Sequence, residues 1–172
     1  MHRSGHQYFT DFYAANTAFA RELMRDGDSV VVEFGCGTGE FLDSMLGYAH
    51  RLIGIDNNQG FLDKYTSALP SQYHQHVSLL CGDMQQSVEL LAALDTERYP
   101  RAKPLVAACV GNTLGVIPED ADVLRQVVLV DALRSYVSPD AVCCICRSRQ
   151  TLLESVRCDL FCGWSCGVLS AD

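Results

Sequence analysis

Apolar positions along this chain switch between two periods. In the first segment Tyr8, Phe9, Phe12, Tyr13, Phe19, Leu23 and Met24 recur at three- and four-residue spacings, which predicts an amphipathic helix over residues 8–25. The polar triplet "GDS" ends it. Five short runs follow, "SVVVEF", "RLIGID", "HVSLLCGD", "PLVAACV" and "AVCCIC", each apolar on both faces, as strands covered by helices on two sides would be. Between them the helical period returns at residues 40–48, 59–69, 84–94 and 119–136. The last of these has Pro118 before it, Glu119, Asp120 and Asp122 in its first turn and Arg134 in its last, the order that the helix dipole favours. Alternating β and α units imply a mostly parallel sheet with right-handed crossovers, a doubly wound α/β fold.

At 172 residues and 48% apolar composition the chain can bury one sizeable core, so a single domain over residues 1–172 is expected. Within it a helical cap (1–28) precedes a core (29–147) and a tail (148–172), and "ERYPRAKP" reads as a surface loop. The N-terminus has no apolar region of the signal-peptide kind, and no apolar run reaches the roughly 18 residues of a membrane span. A cytoplasmic protein with no membrane partner is expected. Thirteen Lys and Arg against 21 Asp and Glu, a net charge of −8, argue against nucleic acid as a partner. The nine cysteines are odd in number, and Cys36, Cys81 and Cys109 lie at or beside strand-like runs, so reduced core or near-core thiols are expected.

In a doubly wound sheet ligands bind outside the carboxyl ends of the strands. The residues there are "EFGCGTG", "IDNN", "GDM" and "VGNTLG". A dinucleotide fingerprint would need a third glycine where Glu40 stands, and a phosphate loop would need a lysine, which is absent between Met1 and Asp63. What remains is E-x-G-x-G-x-G, from Glu33 to Gly39, with Asp56 and Asp83 at the tips of the next two strands. Three acids on one rim would repel phosphates and hold a ligand with cationic centres and a ribose diol. S-adenosylmethionine has a sulfonium, an ammonium and a free ribose.

This succession of strand tips resembles the class I S-adenosylmethionine-dependent methyltransferases, over roughly residues 30–146. The resemblance implies S-adenosyl-L-methionine as cofactor. It would place Glu33, Gly35, Gly37 and Gly39, with Cys36 among them, along the methionine part. Asp56 would take the ribose hydroxyls, with Asn57 beside it. Asp83 and Met84 would flank the adenine, and Asn112 would sit near the donor methyl. Glycines let backbone approach a ligand where a Cβ would clash, and a carboxylate can accept both ribose hydroxyls.

After the fourth strand, "ACVGNTLGVIPED" lacks the Pro-Pro motif of methyltransferases that act on base or glutamine nitrogens. It is similar to the "GNS" and "LPD" of small-molecule N-methyltransferases of the glycine and sarcosine type, which implies a small-molecule acceptor with a nitrogen or oxygen nucleophile. His2 and His6 near the terminus read as solvated, and no general base is assigned. Little base is required, because the sulfonium is already a good leaving group. By the same resemblance the first helix folds over the cofactor, so that Tyr8, Phe9, Phe12 and Tyr13 face either the core or the acceptor pocket, and packing in the core is the expected arrangement of the two. The same residues would serve a protein that binds the cofactor without turnover, as a regulatory or partner subunit.

The tail departs from the pattern. Six of the nine cysteines fall between Cys143 and Cys166, and about 25 residues follow Cys146, barely enough for the helix and hairpin that end the family's sheet. Cys158, Cys162 and Cys166 share a four-residue spacing, but Gly163 and Gly167 argue against a helix there, and no metal is expected. A truncated or altered C-terminus fits better, and would leave a sheet edge open to self-association as a homo-oligomer.

Overall fold

Ser29 is followed by four residues of Val or Phe around one Glu, and these form the innermost strand, β1 (Val30–Phe34), buried along its whole length. A computed structural model of the protein describes residues 5–24, 27–94, 105–110 and 142–146. The elements around β1 run α1 (Gly5–Leu23), α2 (Glu40–Met45), β2 (Arg51–Asp56), α3 (Gln59–Ala68), β3 (Val77–Cys81), α4 (Ser87–Ala92), β4 (Leu105–Cys109) and β5 (Val142–Cys146). Short 3-10 turns stand at Ser71–Tyr73 and Met84–Gln86. The five strands form one parallel sheet in the order β3-β2-β1-β4-β5. The chain steps outward from β1 to β3 and then returns to the other side of β1, so the topological switch lies between β1 and β4.

Period-two alternation divides β1 between two apolar layers. Val31 joins Leu42, Met45, Leu52, Leu62, Tyr65 and Val106 beneath α1, α2 and α3. Val30, Val32 and Phe34 join Ile53, Ile55, Leu91 and Leu105 on the α4 side. Each large side chain buried there contributes about 1.5–3 kcal/mol. Glu33 falls by the same alternation on the face of Val31, beneath the first three helices.

The expected five strands all form. Two of the expected helices are shorter. The one after the glycine loop stops at Met45, because Leu46 turns to extended geometry and Gly47 takes a positive φ of 77°. The one at 84–94 opens as a 3-10 turn and becomes α4 only from Ser87, where Asp83 caps the turn by accepting from Gln85 N–H. β3 corrects the expectation of strands covered on both faces. It is the sheet's edge, mostly half-buried, and Cys81 at its end is exposed where a core or near-core thiol was expected. Cys36 and Cys109 are buried, as expected. The expected helix at 119–136, the loop at 97–104 and the tail at 148–172 lie outside the described residues.

α1 is fastened to α2 by a polar seam. Thr17 Oγ1 donates to Ser44 Oγ at 2.7 Å, and Ser44 Oγ donates to the Phe41 carbonyl at 2.6 Å. Arg21 Nη2 donates to the Ser44 carbonyl at 2.6 Å, with its guanidinium 3.5 Å from the centre of the Tyr48 ring. That stacking gives half-exposed Tyr48 a partner.

Gly54, at the centre of β2, is tightly packed against Leu42 of α2. A Cβ there would lie 2.7 Å from Cys36 Sγ, 2.8 Å from Leu42 Cδ1 and 2.9 Å from Leu79 Cδ2. Gly54→Ala should therefore overpack the core and lower stability by about 1–3 kcal/mol. The expected reading is a lower urea midpoint at unchanged slope; an unchanged midpoint would mean that Cys36, Leu42 and Leu79 yield freely.

Candidate cofactor site

The turn that leaves β1 folds back onto the end of β2. Gly35 N–H and Cys36 N–H both donate to the Ile55 carbonyl, at 2.7 and 3.1 Å. Gly37 N–H donates to Asp56 Oδ2 at 2.8 Å, and Gly39 N–H to the Cys36 carbonyl at 2.9 Å. The Gly39 carbonyl then accepts from Asp43 N–H and starts α2. Positive φ at Gly35, Gly37 and Gly39 makes this path possible. Gly39 has φ 83°, and a Cβ on it would strike the Tyr65 ring at 2.6 Å. Gly37 has φ 53° and nothing within 4 Å of where its Cβ would be, so this part of the loop faces open space.

The N–H groups of Gly35, Cys36, Gly37 and Gly39 are thus committed within the protein. A phosphate-binding loop needs such groups aimed at the ligand. Here three of them hold the loop to β2 and the Gly39 N–H closes the loop on Cys36, an arrangement unsuited to a phosphate.

Asp56 sits half-buried at the tip of β2. Its Oδ1 accepts from Asn58 N–H at 2.9 Å and its Oδ2 from Gly37 N–H, which leaves acceptor capacity on both oxygens. Asn58 in turn caps α3 by accepting from Gly60 N–H at 3.0 Å. Asn57 is exposed, and its carbonyl lies 3.9 Å from Cys81 Sγ across the β2–β3 tips. Asp83 is exposed at the end of β3 with one oxygen engaged by the turn that it caps. Met84 is half-buried against the α4-side core. Asn112 lies outside the described residues.

Two residues stand elsewhere than a rim. Cys36 turns its thiol into the core, against Gly54, so its side chain belongs to packing. Burial, with Glu33 and Asp56 nearby, pushes that thiol far above its ordinary range. Glu33 is only 3% exposed, and its Oε2 has no hydrogen-bond partner among the described residues. Burial first, then the charges of Glu40 and Asp56, raise its carboxyl well above the usual range, and a hydrogen bond from the Leu42 backbone opposes this in part. The three acids are therefore graded in depth: Glu33 buried, Asp56 half-buried, Asp83 exposed.

The structure adds detail around the loop that spacing did not supply. Tyr13, from α1, stands near enough to Glu40 and Glu33 that their charges, after burial, raise its hydroxyl. Its place in the apolar stripe of α1 was the available signal, and it packs on the core as expected there. Thr38 Oγ1 donates to Glu40 Oε1 at 2.5 Å, closing the loop above Glu33. The cavity of about 280 Å³ near Gly27, Leu52, Tyr73 and His76 opens at the amino end of the strands, away from these residues. Among the described residues no three His, Cys, Asp or Glu converge as a metal site, and no helix is long and apolar enough to cross a membrane.

The methyltransferase domain family matches residues 31–128, more than half of the chain. This chain belongs to that family. Its fold is that of the class I S-adenosylmethionine-dependent methyltransferases, as the strand tips implied. The amino pentose methyltransferase CalS10 of Micromonospora echinaspora shares the fold at 16% identity and a TM-score of 0.53, over 83% of this chain and 56% of that one. The N-methyltransferase NodS of Bradyrhizobium japonicum WM9 is 17% identical with a TM-score of 0.52, over 77% and 66% respectively. The glycopeptide N-methyltransferase MtfA is 16% identical with a TM-score of 0.50, over 79% and 57%. The methyltransferase-family chain thus spans between about half and two thirds of the length of these relatives in fold. No curated protein matches its sequence.

The contrast between the thiols gives a direct check on this geometry. In the native methyltransferase domain, iodoacetamide should alkylate exposed Cys81 and spare Cys36 and Cys109. Peptide mass spectrometry after brief labelling reads the outcome, and Cys36 modified as fast as Cys81 would show that the loop does not seal its thiol in the core.

Proposed function

We propose that this domain binds S-adenosylmethionine outside the carboxyl ends of β1, β2 and β3, beside the switch point. There it transfers the methyl group to a small-molecule acceptor through a nitrogen or oxygen nucleophile. One observation carries the reading. The glycine loop has no N–H to spare at four of its positions, while the acids at 33, 56 and 83 frame it and no Lys or Arg occurs in residues 33–40, 56–58 or 81–86. Such a surface suits a cationic ligand with a diol and is unsuited to a pyrophosphate.

The residues fit that ligand in kind. Asp56, already oriented by two backbone N–H groups, has acceptor capacity left for the ribose hydroxyls. The open side of Gly37 lets backbone approach the ligand closely. Glu33 offers a carboxyl oxygen, unpartnered among the described residues, for the methionine end. Asp83 and Met84 are the candidates for the adenine, and Asn112 for the neighbourhood of the methyl. When bound, the sulfonium supplies an activated methyl group, so the protein has chiefly to position the nucleophile and exclude water. The choice of a small-molecule acceptor rests on "GNTLGVIPED" and its likeness to the glycine and sarcosine type. In this reading residues 1–28 cap the core (29–147), and with the tail (148–172) they make a single domain.

S-adenosylmethionine or its demethylated product should raise the melting temperature, and NAD should not. At a ligand concentration of about 100 times Kd the stabilisation is about 2.7 kcal/mol. Stabilisation by NAD alone would sink the proposal.

Asp56→Ala should weaken cofactor binding by about 1.5–3 kcal/mol, since it removes a charged acceptor and frees the Gly37 loop. Titration calorimetry measures it, and an unchanged affinity would exclude Asp56 from the site.

A further inference from the structure

A buried carboxyl with an oxygen that no described residue satisfies costs stability and calls for an explanation. Glu33 is such a group, 3% exposed, with Oε2 unpartnered. Its surroundings are set by every element packed against it. Its Cα partners in β2 and β4 are Gly54 and Ala108, which carry no charge. The groups whose charges couple to it are Tyr13 from α1, Cys36 from the loop, Glu40 from α2, Asp56 from β2 and Tyr65 from α3. Among these described side chains there is no cation. Every one is neutral or negative, and the Leu42 backbone offers the one opposing hydrogen bond.

We propose, resting on the cofactor reading above, that Glu33 is a charge-exchange site: it is held as the neutral acid in the free protein and gives up its proton when S-adenosylmethionine binds. The step is a proton transfer and balances simply. The Glu33 carboxyl O–H bond breaks, the proton passes to buffer, and the carboxylate left behind is compensated by the positive charge that the cofactor brings. No covalent bond to the cofactor forms or breaks. The raised carboxyl of the free protein agrees with this, because burial and two neighbouring carboxylates all oppose its ionisation.

The sign follows from linkage. Binding favours the ionised form, so cofactor binding lowers the proton affinity of Glu33, protons are released, and affinity increases as pH rises above the ordinary glutamate range towards the raised value. The protein would thereby discriminate against neutral ligands of similar shape. They would have to bind over a protonated acid and would release nothing.

The test is titration calorimetry of S-adenosylmethionine into the full chain, repeated in buffers of different ionisation enthalpy from about pH 5 to about pH 9. The expected result is net proton release approaching one per cofactor bound, with affinity rising by up to about tenfold per pH unit across the window. Glu33→Gln should abolish the release and flatten the pH dependence while the protein still binds, more weakly at high pH. Cofactor binding with no proton exchange would overturn this inference and leave the function reading standing, as would the same proton release from Glu33→Gln. No binding at any pH would overturn the function reading and this one with it. Should Glu33→Gln not fold, infrared difference spectra of the unmodified protein decide: the carbonyl band of a protonated carboxyl should disappear on cofactor addition, and an unchanged band rejects the proposal.

Discussion

The site depends on one set of hydrogen bonds, those that fold the glycine loop back onto the end of β2. Ile55 accepts from two consecutive N–H groups and Asp56 accepts from a third. Parallel strands give no hairpin to align their ends. Here the loop itself does so, and it fixes the heights of Glu33 and Asp56 relative to each other. It also decides what the loop cannot do, since an N–H bonded to Ile55 or Asp56 is unavailable to a phosphate. A chain with glycines at nearly the spacing of a dinucleotide-binding turn is in this way directed to a different kind of ligand.

From that alignment follows the grading of charge with depth. Asp83 is solvated at the edge strand, Asp56 is half-buried and held by backbone, and Glu33 lies under α2 on the face where β1 alternation puts it. Like charges so arranged repel one another, and the repulsion is least screened at the buried end. Burial and the neighbouring carboxylates both oppose ionisation of Glu33, and a cationic cofactor would offset that repulsion.

The packing that supports the loop is tight for a related reason. Cys36 enters the core where Gly54 has no side chain, and Tyr65 fills the space that a residue larger than Gly39 would need. The loop is thus bound to α2 and α3 by shape as well as by hydrogen bonds. α1 then seals the outer side through the Thr17–Ser44 and Arg21–Ser44 contacts and brings Tyr13 towards the acids. The methyltransferase fold is common to many proteins, but these particular side chains set how rigidly its cofactor end is held here.

Much of this was legible in the residues themselves. Short β-branched runs alternating with helical periods sufficed for the parallel sheet, since a strand apolar on both faces has few other ways to bury itself. The loop glycines, Asp56 and Asp83 could be assigned to strand tips because they stand where the apolar runs end. The depth of each residue was not legible. Whether Glu33 or Cys36 points to a rim or into the core depends on β1 alternation relative to α2, and on a missing Cβ at Gly54, eighteen residues further on in β2 from Cys36. Nor does periodicity tell an edge strand from a central one, so exposed Cys81 and buried Cys109 look alike in the sequence. Residue chemistry and period are local properties, and the sequence determined them alone. Burial, and with it the upward push on the Glu33 carboxyl, is a property of what other segments bring alongside, and the tertiary structure alone decided it.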